Sequence, residues 1–205
     1  MKAVVAAFPD VVLALAFLIT WIAPSTLGPG MVSSLTLLML LEFINVHSAG
    51  LMGIVLTGAA DTTKKVKLIL GLGALYTLFV VGMALAFKTW WPLTAFWLLT
   101  LNRLLPTLLR QAPTGQERYI VTVSWVAGCA FYLFFVCATT LLPLPRFGTT
   151  RGAAGGSGSG LWIDEPHRAL AFGFLYFTAV AALQLSTHRW VGKIVEDERG
   201  AGAGA

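Results

Sequence analysis

The segment MLLEFINVHSAGLMG, residues 39–53, places Glu42, Asn45, His47 and Ser48 within about two helical turns of an otherwise apolar run. A carboxylate and an imidazole can change charge, and polar groups of this kind inside hydrocarbon need a partner or a task. At about 100° per residue, Glu42, Asn45, Ala49, Gly53 and Thr57 share one side of a helix, with Ser48 flanking it. The stripe is small and polar, as a close helix contact in lipid requires. His47 is turned about 140° from Glu42, among Leu40, Ile44 and Leu51, so the two cannot chelate on one face. The helix must therefore be surrounded by protein on most sides, or His47 must reach a backbone carbonyl or a second subunit.

A partner for Glu42 is offered by LLTLNRLLPTLLR. Arg103 lies about 20 Å below Trp90 and Glu42 about 17 Å below Met31, so the two charges fall within one turn in depth. The expectation is an ion pair, or a shared water, between Glu42 and Arg103. Pro106 deprives the Asn102 carbonyl of its usual donor, which predicts a kink and an acceptor beside Arg103. The predicted polar intramembrane site is thus Glu42, Asn45, His47, Ser48, Asn102 and Arg103, with Pro106 as a helix kink. Asp10 reads as an exposed or capping acid unless the first span begins before Pro9, and His167 and His188 read as interfacial.

The elements that carry these residues follow from composition. The chain is 57% hydrophobic and 11% charged with a mean hydropathy of +0.80, against about a quarter charged for a soluble domain, so a water-soluble globule is excluded. A bilayer core about 30 Å thick needs roughly 20 apolar residues in a helix. By that measure the fold class is all-α, a single six-helix transmembrane domain over 1–186, with spans near 3–23, 31–57, 66–87, 90–109, 119–142 and 167–186. The first is bent at Pro9 or started by it, and with no small-x-small cleavage site after it, it reads as a retained span rather than a leader. The Gly- and Ser-rich stretch within 143–163 reads as a flexible external loop without structure of its own. Residues 187–205 read as a cytoplasmic tail with a disordered Gly/Ala-rich end.

Lysine and arginine set the orientation. Lys2, Lys64, Lys65, Lys67, Arg110, Arg118, Arg189, Lys193 and Arg199 fall on one face, and Lys88, Arg146, Arg151 and Arg168 on the other. Nine against four places both termini in the cytoplasm, and an even number of spans agrees. Trp90, Trp91, Trp162 and Trp190 sit at predicted span edges, where interfacial rings belong. A bacterial cytoplasmic (inner) membrane is the expected location.

The net charge of +5 is explained by this topology, and no zinc spacing, phosphate loop or basic and aromatic strip points to nucleic acid. Cys129 and Cys137 are eight residues apart on one helix and cannot bridge; they read as buried free thiols. Gly71, Gly73, Gly128, Gly173 and Gly82-x-x-x-Ala86 read as packing positions. No nucleophile and base spacing, His-Glu-x-x-His motif or ligand cluster is present, so no catalytic residue, metal ligand or cofactor is assigned. No repeat relates the two halves.

Three functions fit this pattern. The first is a channel or small transporter for protons or a small polar solute, running past Glu42, Asn45, His47 and Arg103. The second is a non-catalytic accessory or scaffold subunit of a larger membrane complex. The third is an intramembrane redox or cofactor-binding protein, although a bis-histidine haem would find only His47 at depth. The bilayer is the expected surrounding, and homo-oligomerisation or partner membrane subunits would cover His47.

Overall fold

The computed structural model describes the backbone of residues 2–58, 60–109, 115–157 and 159–202, and the side chains of 4–58, 60–105, 108–109, 119, 122–157 and 159–186. Seven helices appear among the described residues: α1 (Lys2–Ile22), α2 (Met31–Thr57), α3 (Thr62–Ala86), α4 (Trp91–Leu108), α5 (Gly115–Leu141), the short α6 (Leu161–Asp164) and α7 (Pro166–Gly202). Five of them, α1, α2, α3, α5 and the first part of α7 (Pro166–Ser186), are long and apolar enough to cross a membrane. Their outer faces carry Val5, Phe8, Ile54, Leu78, Leu85, Leu133, Phe134 and other exposed large apolar side chains. Such a coat suits acyl chains and would not persist in water.

The helix ends follow local chemistry. The Gly28 and Gly30 backbones take φ of 104° and 79°, which other residues resist, and α2 starts directly after them. Asp61 caps α3 by accepting from the Lys64 N–H at 2.9 Å. This cap explains why α3 begins at Thr62 rather than 66: a polar first turn precedes the apolar part. Lys65 then donates to the Leu56 carbonyl at 2.8 Å, setting a cation at the C-terminal end of α2. Pro9 lies inside α1, which begins seven residues before it, so it does not start the helix. The part of α7 apolar enough to cross a membrane ends at Ser186, and the helix itself continues to Gly202, with no proline to interrupt it.

α2 is the hub, packing on α1, α3, α4, α5 and α7. On one side α1 and α7 run antiparallel, with Phe17 stacked on Phe177 and Asp10 bonded to Gln184, and α5 closes this group through Tyr132, Phe172 and Tyr176. On the other side α3 and α4 form a hairpin. Phe96 near the start of α4 meets Leu41, Ile44, Tyr76 and Val80, while Leu104 near its end meets Met52 and Ile69.

Close approaches occur at particular glycines. A side chain at Gly50 would overlap the Trp125 indole, and one at Gly173 would overlap the Phe17 ring. Gly73 is covered by Trp97, whereas Gly71 and Gly82 face open space and are not packing positions in this chain. Cys129 is half-buried and Cys137 exposed, so the second thiol is not the core residue expected.

The segment 143–163 is not a linker hanging from the bundle. Trp21 Nε1 donates to the Pro145 carbonyl at 2.9 Å, Thr149 Oγ1 to the Trp21 carbonyl at 3.3 Å, and Ser157 N to the Ala86 carbonyl at 2.9 Å. Ala154 is fully buried in the main core, and α6 forms the last turn before α7. The composition signal of glycine and serine failed here because bonds to the ends of α1 and α3 fix the chain.

Candidate functional site

The polar face of α2 carries two separate constellations. In the first, the Tyr176 hydroxyl of α7 donates to Glu42 Oε1 at 2.9 Å. A second tyrosine, Tyr132 of α5, donates to the Met39 carbonyl at 3.0 Å and packs edge-on against Tyr176. No cation among the described residues lies within 4.0 Å of Glu42.

In the second constellation, Arg103 of α4 reaches across to α2. Its Nη1 donates to Ser48 Oγ at 3.0 Å and approaches Met52 Sδ at 3.7 Å, and its Nη2 donates to the Asn45 carbonyl at 3.1 Å. Ser48 in turn donates to the same carbonyl at 3.1 Å. The direct Glu42–Arg103 ion pair expected from depth is therefore absent among the described residues. The reason is azimuth: Ser48 follows Glu42 by six residues, about 9 Å along the axis and about 120° round it. α7 approaches one side of α2 and α4 the other.

Asn45 lies between the two groups. It is 7% exposed, and its Oδ1 accepts no hydrogen bond from the described residues. A buried amide oxygen left without a donor costs on the order of 1–3 kcal/mol, and none of the described residues donates to this one.

Of the predicted site residues, Asn45, Ser48 and Arg103 meet directly and Glu42 is one turn away. His47 does not join them. It is exposed on the outer surface of α2, its ring 4.9 Å from that of Phe43, in a stripe with Leu51 and Ile54. Asn102 is exposed on the outer face of α4 and also stands apart. Pro106 is inside α4, but its side chain lies outside the described residues.

The structure adds two residues that the sequence left out and gives Asp10 a partner. Tyr176 supplies the only hydroxyl on Glu42 among the described residues. Gln184 Nε2 donates to Asp10 Oδ2 at 2.7 Å, so Asp10 is neither a cap nor a surface acid. Asp10 lies about 18 Å from the Ile22 end of α1, close to the depth of Glu42 below Met31, which places two carboxylates at similar depth on α1 and α2. The signal available was a tyrosine and a glutamine in the middle of an apolar run, each of which needs a partner in hydrocarbon.

At the other end, His167 stands in the first turn of α7 and is 3% exposed, covered by protein, and His188 falls outside the described side chains. Glu165, in the turn before α7, accepts from Arg168 and pairs with Arg146. The bond from Arg168, reinforced by the charges of Arg168 and Arg146, holds its carboxyl below the usual range. Among the described residues, no group of three or more His, Cys, Asp or Glu side chains is placed to hold a metal ion. A hollow lined by Asp61, Lys64 and Lys67 lies at the α2–α3 turn rather than beside Glu42.

Comparison of the chain with protein-family models, with curated proteins and with solved structures finds no match. The functional reading therefore rests on the geometry of this helical membrane protein.

Proposed function

We propose that the protein is a six-span channel or small transporter in which Glu42 takes up and releases a proton on the path of protons or of a small polar solute. The observation that carries this reading is the surrounding of Glu42: a carboxylate in the middle of a membrane helix, bonded to a tyrosine hydroxyl, with no cation among the described residues within 4.0 Å. A carboxylate locked to an arginine is held in one charge state, whereas one bonded to a hydroxyl is free to change it. The Asn45 oxygen beside it, without a donor among the described residues, and Arg103 beyond are polar stations that a hydrated solute could visit.

Six spans are supported by the course of α4, which runs beside α2 and against α3 over their depth although it is less apolar than the other five. Both termini then lie on one side, the cytoplasm by the charge count, and a bacterial cytoplasmic membrane is the expected site.

Flux in proteoliposomes under an imposed proton gradient tests the proposal. Glu42→Gln should abolish most of the flux and Arg103→Ala should reduce it. Equal flux in the wild type and both variants would remove the idea.

A second reading, a subunit of a homo-oligomer or larger complex, is favoured by one observation. His47 lies exposed about 15 Å from the Thr57 end of α2, at a level where an imidazole facing acyl chains is disfavoured. A neighbouring helix would cover it.

A further inference from the structure

The end of the bundle where α7 begins holds an arrangement that the transport reading does not use. Three arginines converge on one carboxylate. Arg168 Nε lies 2.7 Å from Glu165 Oε2, Arg146 Nη2 lies 2.8 Å from Oε1, and Arg151 Nη2 lies 3.6 Å from the same Oε1. Their roles differ. Arg168 also donates through Nη1 to the carbonyls of Thr139, Thr140 and Leu142, closing the last turn of α5, and is a structural clasp. With Arg168 neutralising Glu165, Arg146 and Arg151 each keep a single nitrogen on that carboxylate and turn the rest of the guanidinium outward, their side chains being 43% and 73% exposed.

Two guanidiniums gathered on one oxygen repel each other, and a second anion between their free edges would relieve this. The one other acid of the segment, Asp164, accepts from Gly160 N and makes no ion pair with them within 4.0 Å. The arginines are also held in place by the folded loop. Arg146 follows Pro145, whose carbonyl takes the Trp21 indole, and precedes Phe147, held at a φ of 46° with its ring edge-on to Trp21. Arg151 precedes Gly152, whose N–H donates to the Asp164 carbonyl at 3.2 Å. The folded backbone keeps the two forked donors near one another, an arrangement that suits an oxyanion. The topology rule does not account for this cluster, since by the charge count it lies on the face with fewer basic residues. Trp21 and Trp162, rings that favour the headgroup level, flank the same region.

We propose that Arg146 and Arg151 form a binding site for a phosphate-type oxyanion, either the phosphodiester of an anionic lipid or free phosphate. The chemistry is the same for both sources, and the test separates them. Thermal unfolding of the full chain is followed in neutral detergent with added potassium phosphate against potassium chloride of equal ionic strength, and separately in mixed micelles of phosphatidylglycerol against phosphatidylcholine. Stabilisation by phosphate identifies the free anion, and stabilisation by phosphatidylglycerol alone identifies the lipid; either supports the site. Arg151→Gln, which leaves both the Arg146 and Arg168 contacts to Glu165 in place, should weaken the effect about tenfold in concentration, as expected for loss of one charged donor. Absence of any response to both anions, or an undiminished response in Arg151→Gln and in Arg146→Gln/Arg151→Gln, would overturn the proposal.

Discussion

Replacing Arg103 by leucine should act in opposite directions on two stages of assembly. On the six-span proposal, α4 carries its arginine about 18 Å from the Trp91 end and about 8 Å from the Leu108 end, at hydrocarbon depth but off its centre. A central arginine costs roughly 2.5–3.5 kcal/mol on insertion, and leucine gains roughly 0.3–0.6 kcal/mol. Allowing for the off-centre position and for snorkelling of the guanidinium, Arg103→Leu should favour insertion of α4 by about 2 kcal/mol. In the bundle the change removes two interhelical hydrogen bonds to oxygen, at 3.0 and 3.1 Å. Such bonds average about 0.6 kcal/mol in membranes, so packing of the inserted helices should weaken by about 1.2 kcal/mol. Insertion is read from a glycosylation reporter carrying α4, and packing from reversible unfolding in bicelles. Equal insertion of α4 with either residue would show that position 103 does not lie at hydrocarbon depth. A loss of more than about 3 kcal/mol from the bundle would instead make Arg103 a structural keystone.

Gly50→Val and Gly173→Val should each destabilise the bundle by about 1–3 kcal/mol through overlap with Trp125 and Phe17, while Gly71→Val and Gly82→Val, which face open space, should change stability by less than about 0.5 kcal/mol in the same unfolding assay. The carboxyl of Glu165 is held below the ordinary range by Arg168, so its contribution to the docking of the 143–163 segment is complete at neutral pH and is lost as pH falls through that lowered value. Tryptophan fluorescence from Trp21 and Trp162 should report an acid transition that is missing in Glu165→Gln. His47→Leu should leave the fold of the single chain intact and lower the share of oligomer in mild detergent by severalfold; an unchanged oligomer distribution by native mass spectrometry would count against a partner helix at that position.

The apolar spans were legible because a run of about 20 such residues has few other uses. The glycines at 28 and 30 fixed the start of α2 to the residue, whereas the charged first turn of α3 hid its start behind Asp61. Depth along a helix could be read only coarsely: Arg103 meets Asn45 and Ser48, three and six residues beyond Glu42. What could not be read was the direction from which each neighbour approaches α2. Residue spacing gives the angles of Glu42 and Ser48 about their own axis, but only packing tells that α7 lies over the first and α4 over the second. The same limit hid Tyr176, the partner of Glu42, and Gln184, the partner of Asp10, each ordinary in its own helix and meaningful only beside another. For 143–163, composition predicted chain freedom, while the bonds that remove it come from the ends of α1 and α3, more than fifty residues away in sequence.

Infrared difference spectroscopy of the protein in lipid tests the central assignment most directly, by following the carbonyl stretch of protonated carboxyl groups during a pH titration in light and heavy water. The account predicts a titrating band, sensitive to deuterium, that is missing in Glu42→Gln and displaced in Tyr176→Phe. A spectrum in which every titrating carboxyl band survives Glu42→Gln unchanged would contradict it.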